Sequence, residues 1–432
     1  MIIRVSMFKD CNFTILDNPE YFEFENGLWT GKHQPFKTVN VIRNTNFSGL
    51  GKIDMSDIAQ IEVESKKFEK RKLKEGDIVI ERSGGGPKQP VGRVVYFDVK
   101  NGDYSFSNFT SRIRVIRQDI FNPKFIFYYL LKFYQAGKTE NLQARTTGIR
   151  NLDFNNYRQS VEIPILSTPE QCNIVYILSK IQSAIETQEK IIQTATELKK
   201  ALMQKLFTEG LKGEAQKETE IGLVPKSWEI KRVGDFCDVR SSSILFKDIN
   251  KIKAQKETPI KVLALKVSDM NLAGNEDDVK SSQIEFYLEN EDNNIKKLIP
   301  PLALIFPKRG AAISTNKKRI TLHYSILDPN LMALLPTNKC NPNFLYLYFQ
   351  RLDLRTISDK GLIPQLNKKD LMPVLVPMPS VDEQEEVVLT IKRIDAKIHI
   401  NTDKLKTLQS LFKSMLHHLM TGQIRVKDLK VS

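Results

Sequence analysis

The sequence predicts a mixed α/β protein built by tandem duplication: two globular domains separated by two long antiparallel helices that form a coiled coil with pseudo-two-fold symmetry. Three observations predict it. A short phrase is written twice, a long hydrophobic heptad pattern follows each copy, and a segment of mixed strand and helix signals precedes each.

The phrase is "IPILSTPEQ" (Ile163–Gln171) and then "VPMPSVDEQ" (Val376–Gln384), an offset of 213 residues. At that offset the match continues without a gap into "KKALMQKLFTEGL" and "FKSMLHHLMTGQI". Identical pairs include Pro164/Pro377, Glu170/Glu383, Gln171/Gln384, Ile181/Ile394, Ile185/Ile398, Lys200/Lys413, Leu206/Leu419 and Thr208/Thr421. A weaker echo, "NPKFIFYYL" from Asn122 and "NPNFLYLYF" from Asn341, lies upstream of each copy in the same order. The duplication therefore covers most of each half.

After each Glu-Gln pair about 38 residues pass without proline or glycine. Alternating steps of four and three reach Ile174, Leu178, Ile181, Ile185, Gln188, Ile192, Ala195, Lys199, Leu202 and Leu206 in the first copy. In the second they reach Val387, Ile391, Ile394, Ile398, Asn401, Leu405, Leu408, Phe412, Met415 and Leu419. This 3.5-residue period is that of a coiled coil. Each helix would be about 57 Å long, with Gly210 and Gly422 as C-terminal stops. A lone helix of this kind would leave a long apolar seam in water, so the two are expected to pack on each other. Gln188 and Asn401 fall on the same heptad step near the helix middles. They are expected in the same or adjacent layers, where polar groups fix register.

Residues 1–162 form the first domain, 163–212 the first repeated region with its helix, 213–375 the second domain, and 376–432 the second repeated region. In the first domain "FKTVNVIR", "DIAQIEV", "GDIVIER", "VGRVVYF" and "SRIRVIR" read as strands, and "NPKFIFYYLLKFY" as a helix capped by Asn122 with Pro123 in its first turn. In the second, "IKVLALKV", "PLALIF", "KRITLHY" and "LMALL" read as strands before the helix "NPNFLYLYFQRL". "IGLVPKSWEIKRVGDF" (Ile221–Phe236) reads as the entrance to this domain, with Trp228 as its anchor.

The 432 residues carry a formal charge of +14 and a pI near 9.3, which points to nucleic acid or a membrane surface. The excess sits mainly in the domains: 25 basic and 19 acidic residues in 1–169, 25 and 21 in 213–382. The helical segments 170–212 and 383–424 each hold 6 basic and 5 acidic residues and are nearly neutral. No apolar h-region opens the chain and no run spans a bilayer, so a cytoplasmic location away from membrane is expected. The four cysteines, Cys11, Cys172, Cys237 and Cys340, make no CxxC, and the histidines show no ligand spacing, so neither disulfide nor metal is expected.

Catalytic motifs are missing. "SGGGPKQPVG" (Ser83–Gly92) lacks the GK[ST] of a P-loop, and "GKT" at Gly137–Thr139 lacks the preceding glycine, since Lys132 stands there. There is no GxGxxG, no [ND]PP[YF] and no GxSxG. The chain is expected to bind, not to catalyse. Two basic clusters, "KKFEKRKLK" (Lys66–Lys74) and "KRGAAISTNKKR" (Lys308–Arg319), are read as lying at corresponding positions of the two domains. The glycine-rich run is read as a flexible loop facing DNA. Arg82, Lys88, Arg93 and Arg112 near it, and Lys308, Arg309, Lys317, Lys318 and Arg319, are expected at double-stranded DNA.

This order of parts resembles a type I restriction-modification specificity subunit. It comprises a mixed domain, "IPxxxxPEQ" with a long helix, "IGLVPKSWEIKRVGDF", a second mixed domain, "GLIPQLNKKDLMPVLVPMPSVDEQ" and a second long helix. The resemblance covers essentially the whole chain. It implies two target-recognition domains that each read half of a split DNA sequence, held apart by the helices. It further implies that the helices dock two methyltransferase subunits carrying S-adenosylmethionine. ATP-driven restriction subunits would join the assembly, with no cofactor and no activity in this chain. Two features depart from the pattern. The first domain lacks the "IGxxPxxW" entrance, and its "GIRNLDFNNY" lacks the Pro-Gln of the second copy. Read without the resemblance, the residues also allow a coiled-coil scaffold holding two protein-binding domains apart.

Overall fold

In a computed structural model the described residues are 8, 11–86, 89–146, 149–252, 260–289, 292–359, 361, 363–427 and 429. They form two compact units, residues 1–190 with 403–432, and residues 191–402. Each long helix, Thr168–Glu209 and Val381–Thr421, contributes a segment to both.

The first unit has a four-stranded antiparallel sheet in the order Phe22–Asn26, Thr110–Val115, Ile78–Glu81, Val94–Tyr96. Beside it is a three-stranded sheet in which Phe36–Ile42 pairs antiparallel with Ala59–Glu64 and parallel with Tyr104–Phe106. The second unit repeats the plan. Its larger sheet runs Cys237–Arg240, Leu331–Pro336, Leu304–Pro307, Arg319–Thr321, Asp278–Val279. In its smaller sheet Ile260–Leu265 pairs antiparallel with Ile284–Leu288 and parallel with Tyr324–Leu327. The shared topology shows that the duplication extends through both domains, far beyond the recognisable sequence match.

In each unit one aromatic helix fills the core. Pro123–Gln135 buries Phe125 through Leu131 and Phe133, and Pro342–Arg351 buries Phe344 through Phe349. A helix apolar all round must be enclosed. Both begin alike: the Asn122 side chain accepts from the N–H groups of Lys124 and Phe125, and Asn341 from those of Asn343 and Phe344, with proline in the first turn.

The repeated phrase ties this core to the long helix. Its first residues lie in a short strand paired with the domain entrance: Pro164 opposite Phe13, and Pro377 opposite Ile230. Its last residue is a glutamine with no exposed surface in either copy. Gln171 accepts from the Asn122 N–H at 2.8 Å and donates to the Ile120 and Leu166 carbonyls at 2.7 and 2.9 Å. Gln384 accepts from the Asn341 N–H at 2.7 Å and donates to the Pro379 and Lys339 carbonyls at 3.1 and 3.3 Å. One side chain thus closes three backbone groups that neither helix could satisfy.

The heptad positions form the seam. All are buried or half-buried, and none is exposed. In the first unit Ile174, Leu178 and Ile185 share a core with Phe412, Leu416 and Leu419. There the Glu170 carboxylate takes a two-bond ion pair from Arg425, at 2.6 and 2.7 Å, so the segments run antiparallel. In the second unit Leu206 packs with Val387 and Ile391, Lys199 pairs with Asp395 at 2.5 Å, and the Trp228 indole N–H donates to Glu383 at 3.1 Å. Gly210 and Gly422 end the helices at φ of 69° and 75°, where a side chain would be strained. Gln188 belongs to the first unit and Asn401 to the second. The Asn401 amide donates to the Lys397 carbonyl, one turn back.

Replacing Gln171 or Gln384 by alanine strands three backbone groups and should cost about 2–4 kcal/mol each. Urea unfolding of the full chain measures this, and a loss below 0.5 kcal/mol at both positions would remove the glutamines from the account.

Candidate nucleic-acid interface

The strands Ile78–Glu81 and Leu304–Pro307 hold the same place in their sheets. Glu81 lies opposite Thr110 and Pro307 opposite Leu331, the first residues of the equivalent neighbouring strands. Arg82 and Lys308 are therefore equivalent, each the first residue past its strand. The backbone repeats the match: the Arg82 carbonyl accepts from Leu152 at 2.7 Å, and the Lys308 carbonyl from Leu366 at 3.0 Å.

This equivalence corrects the pairing of clusters read from sequence. Lys66–Lys74 lies on the helix Ser65–Arg71 and the turn after it, before the strand Ile78–Glu81. The counterpart of Lys308–Arg319 is the segment Arg82–Arg93, between the equivalent strands. Three of the six cations in the earlier cluster are also paired, Lys67 to Glu64, Arg71 to Glu25 and Lys72 to Asp103. Nor is the glycine-rich run a free loop throughout. Ser83–Gly85 is a strand against Ile149–Leu152, whose other neighbour is Gln143–Thr146. Lys88 lies outside the described residues.

The candidate side chains separate into two kinds. Arg112 is buried in the central strand Thr110–Val115, ion-paired with Glu23 and donating to the Lys70 carbonyl at 3.3 Å. Burial, then the neighbouring Arg114, pushes its pKa down. It is an interior strut on the polar face of the sheet, which it shares with Arg114 opposite Glu23 and Glu25, while Ile113 and Val115 turn to the apolar core. Arg93 gives two hydrogen bonds to Glu81, at 2.7 and 2.8 Å, and others to the Asn44 and Phe47 carbonyls. Burial works against its charge, but Glu81 outweighs it and raises the pKa. Lys318 has no exposed surface and donates to the Leu352 carbonyl at 2.6 Å and to Asn316 at 2.8 Å. Burial pushes its pKa down to about 8. Arg319 gives its N–H groups to the carbonyls of Asn275, Lys318 and Met270. These four hold the fold together.

Arg82 and Lys308 differ. Arg82 is half-buried against neutral partners, Asn26 at 2.5 Å and Ser111 at 3.4 Å, with its guanidinium 5.4 Å from the Phe154 ring centroid. Burial and then the positive charge of Arg158 lower its pKa. Lys308 donates to the Ser241 hydroxyl at 2.9 Å; burial and then Arg309 lower its pKa, with Asp328 opposing. Arg309 is exposed, and Lys317 is half-buried against Asn271. Each edge thus presents a cation desolvated beside another cation, which an arriving anion would relieve. Charge counting missed Trp29 and Phe109, exposed by 70% and 47%. The signal was present in "NGLWTGKHQP", a tryptophan set among glycines and basic residues. Among the described residues no cluster of His, Cys, Asp or Glu is placed to hold a metal, and no helix is long and apolar enough to cross a membrane.

The family model for the type I restriction modification DNA specificity domain matches twice, over residues 13–197 and 225–410. Among curated proteins, the chain is 23% identical over 99% of its length to all of a Methanocaldococcus jannaschii protein provisionally named the specificity subunit of the type I restriction enzyme MjaX. It is 25% identical over 69% of its length to 71% of the MjaVIII specificity subunit of the same organism. The crystal structure of a type I restriction-modification S subunit from M. genitalium superposes with a TM-score of 0.55 at 15% identity, covering 97% of this chain and 99% of that one.

Lys318→Met and Arg309→Ala separate the two kinds of cation. Between pH 8 and about 10.5 the unfolded chain keeps a proton that folded Lys318 has shed, so the stability contributed by Lys318 rises across that window. Relative to Lys318→Met, the natural chain should gain up to about 3 kcal/mol from pH 7 to 10 in urea unfolding. Lys318→Met should leave the salt dependence of DNA binding unchanged, while Arg309→Ala should lower its slope by about 1 without affecting unfolding. The reverse pattern would exchange their roles.

Proposed function

Because the chain belongs to the type I restriction-modification DNA specificity family, we propose that each domain reads one half of a bipartite double-stranded DNA target. In this reading the helical pair sets the spacing of the halves and docks two methyltransferase subunits. The observation that carries the DNA reading is the equivalence of Arg82 and Lys308. At the same edge of two duplicated domains, each is a half-buried cation held by neutral groups beside a second cation. Nearby Arg93 and Arg114 are instead neutralised by Glu81 and Asp77. A phosphate is the partner that such an edge lacks. Arg309 and Lys317 extend it in the second domain, and the chain's charge of +14 favours the encounter.

Docking is supported by apolar residues that the seam leaves out. Tyr176 and Leu389, exposed by 41% and 55%, stand 213 residues apart, and so do Leu198 and Leu411, exposed by 58% and 43%. An exposed apolar residue written twice at the repeat offset fits one partner surface used twice. S-adenosylmethionine would be held by those methyltransferase partners, and ATP by restriction subunits that join the complex.

Hydroxyl-radical footprinting of the assembled complex tests the reading. It should protect two separate backbone tracts, and one continuous tract or none would contradict it. By light scattering, Leu411→Glu should shed one methyltransferase, and Leu411→Glu with Leu198→Glu should shed both. Full occupancy in the double variant would overturn the docking surface.

A further inference from the structure

We propose that the first domain holds a nucleobase pocket, walled by Trp29 and Phe109, that takes up one unstacked base of its half-site. The inference rests on the DNA reading above and extends it to a mode of recognition. The pocket is a recess of about 340 Å³, within the usual range of ligand sites. Val41, Ile61 and Val63 line its apolar side, and Trp29 and Phe109 stand at it with much of their ring surface in water.

Two polar atoms in the lining have no hydrogen-bond partner although water does not reach them: Arg43 Nε and Ser107 Oγ. Leaving such atoms unpaired costs stability, and a small turn of each side chain toward the recess would bring it to the ring acceptors of a flat heterocycle. Arg43 is held for this use, since its Nη2 is anchored on the Asp57 carbonyl and carboxylate, both at 3.1 Å. The chain is also shaped to bring Trp29 here. A Cβ on Gly27 would lie 1.8 Å from the Ser107 carbonyl oxygen, so only glycine lets the segment before Trp29 run beside Ser107.

The recess adjoins the proposed DNA edge. The Phe109 carbonyl accepts from the N–H groups of Arg82 and Ser83, at 2.8 and 3.2 Å, and Asn44, in the lining, donates to the Ser83 carbonyl at 3.3 Å. A strand whose phosphate is held at Arg82 would therefore pass its bases over the aromatic pair. Stacking on such rings is tolerant of base identity, and the unpaired Nε and Oγ supply the discrimination.

The test uses the assembled complex and its cognate DNA, with the partner base removed at each pair of the first half-site in turn. At one position the loss of pairing should tighten binding about tenfold, because the cost of unpairing is already met. That gain should vanish in Trp29→Ala, which should also weaken binding to intact cognate DNA by about 5- to 100-fold. Trp29 is largely exposed, so the variant should fold. Cognate preference without any gaining position would overturn the pocket and leave the specificity reading intact. A gain unchanged in both Trp29→Ala and Phe109→Ala would also overturn the pocket. No preference for cognate over scrambled DNA would overturn both.

Discussion

Everything else in this chain hangs on one buried glutamine, present twice. Gln171 and Gln384 each join the first turn of a long helix to the capping loop of an aromatic helix by two hydrogen bonds, and a third closes the Leu166 or Pro379 carbonyl just before the long helix. A buried amide is tolerated only when all its groups find partners. The partners here are backbone atoms, so the contact fixes where the chain runs without depending on neighbouring side chains. This explains why the phrase persists while most of each domain has diverged. The recognition surfaces can change, provided that the core helix still meets its long helix in the same way.

The neighbouring glutamate shows how the two copies part. Glu383 receives the indole N–H of Trp228, which lies at the entrance to its own domain. Glu170 has no such tryptophan and receives Arg425, whose guanidinium is 5.0 Å from the Phe8 ring centroid. The same acidic first turn, favoured there by the helix dipole, is covered by a different residue in each unit. The missing "IGxxPxxW" in the first domain is thereby made good from the segment beyond Gly422.

The architecture was legible because it is written in periods and copies. The 3.5-residue heptad located the seam, and the echo from Asn122 and Asn341 located both core helices with their caps. The edge was harder. Net charge cannot distinguish Arg112, paired inside a sheet, from Arg309, open to water, because both are one letter in a basic run. Their difference lies in carboxylates such as Glu23, distant in sequence, and in strand register, which also showed that Arg82 and not Lys66–Lys74 matches Lys308. The recess at Trp29 depends on Gly27, Arg43 and Ser107 meeting across three segments, which no local pattern records.

If one anchoring contact, used twice, carries two independent readers, the two domains should be exchangeable one at a time. The most direct measurement replaces residues 1–162 with the first domain of another family member and sequences the methylated sites in a strain carrying the hybrid. One half of the methylated motif should change while the other half and the gap between them stay the same. A change in both halves would contradict that independence.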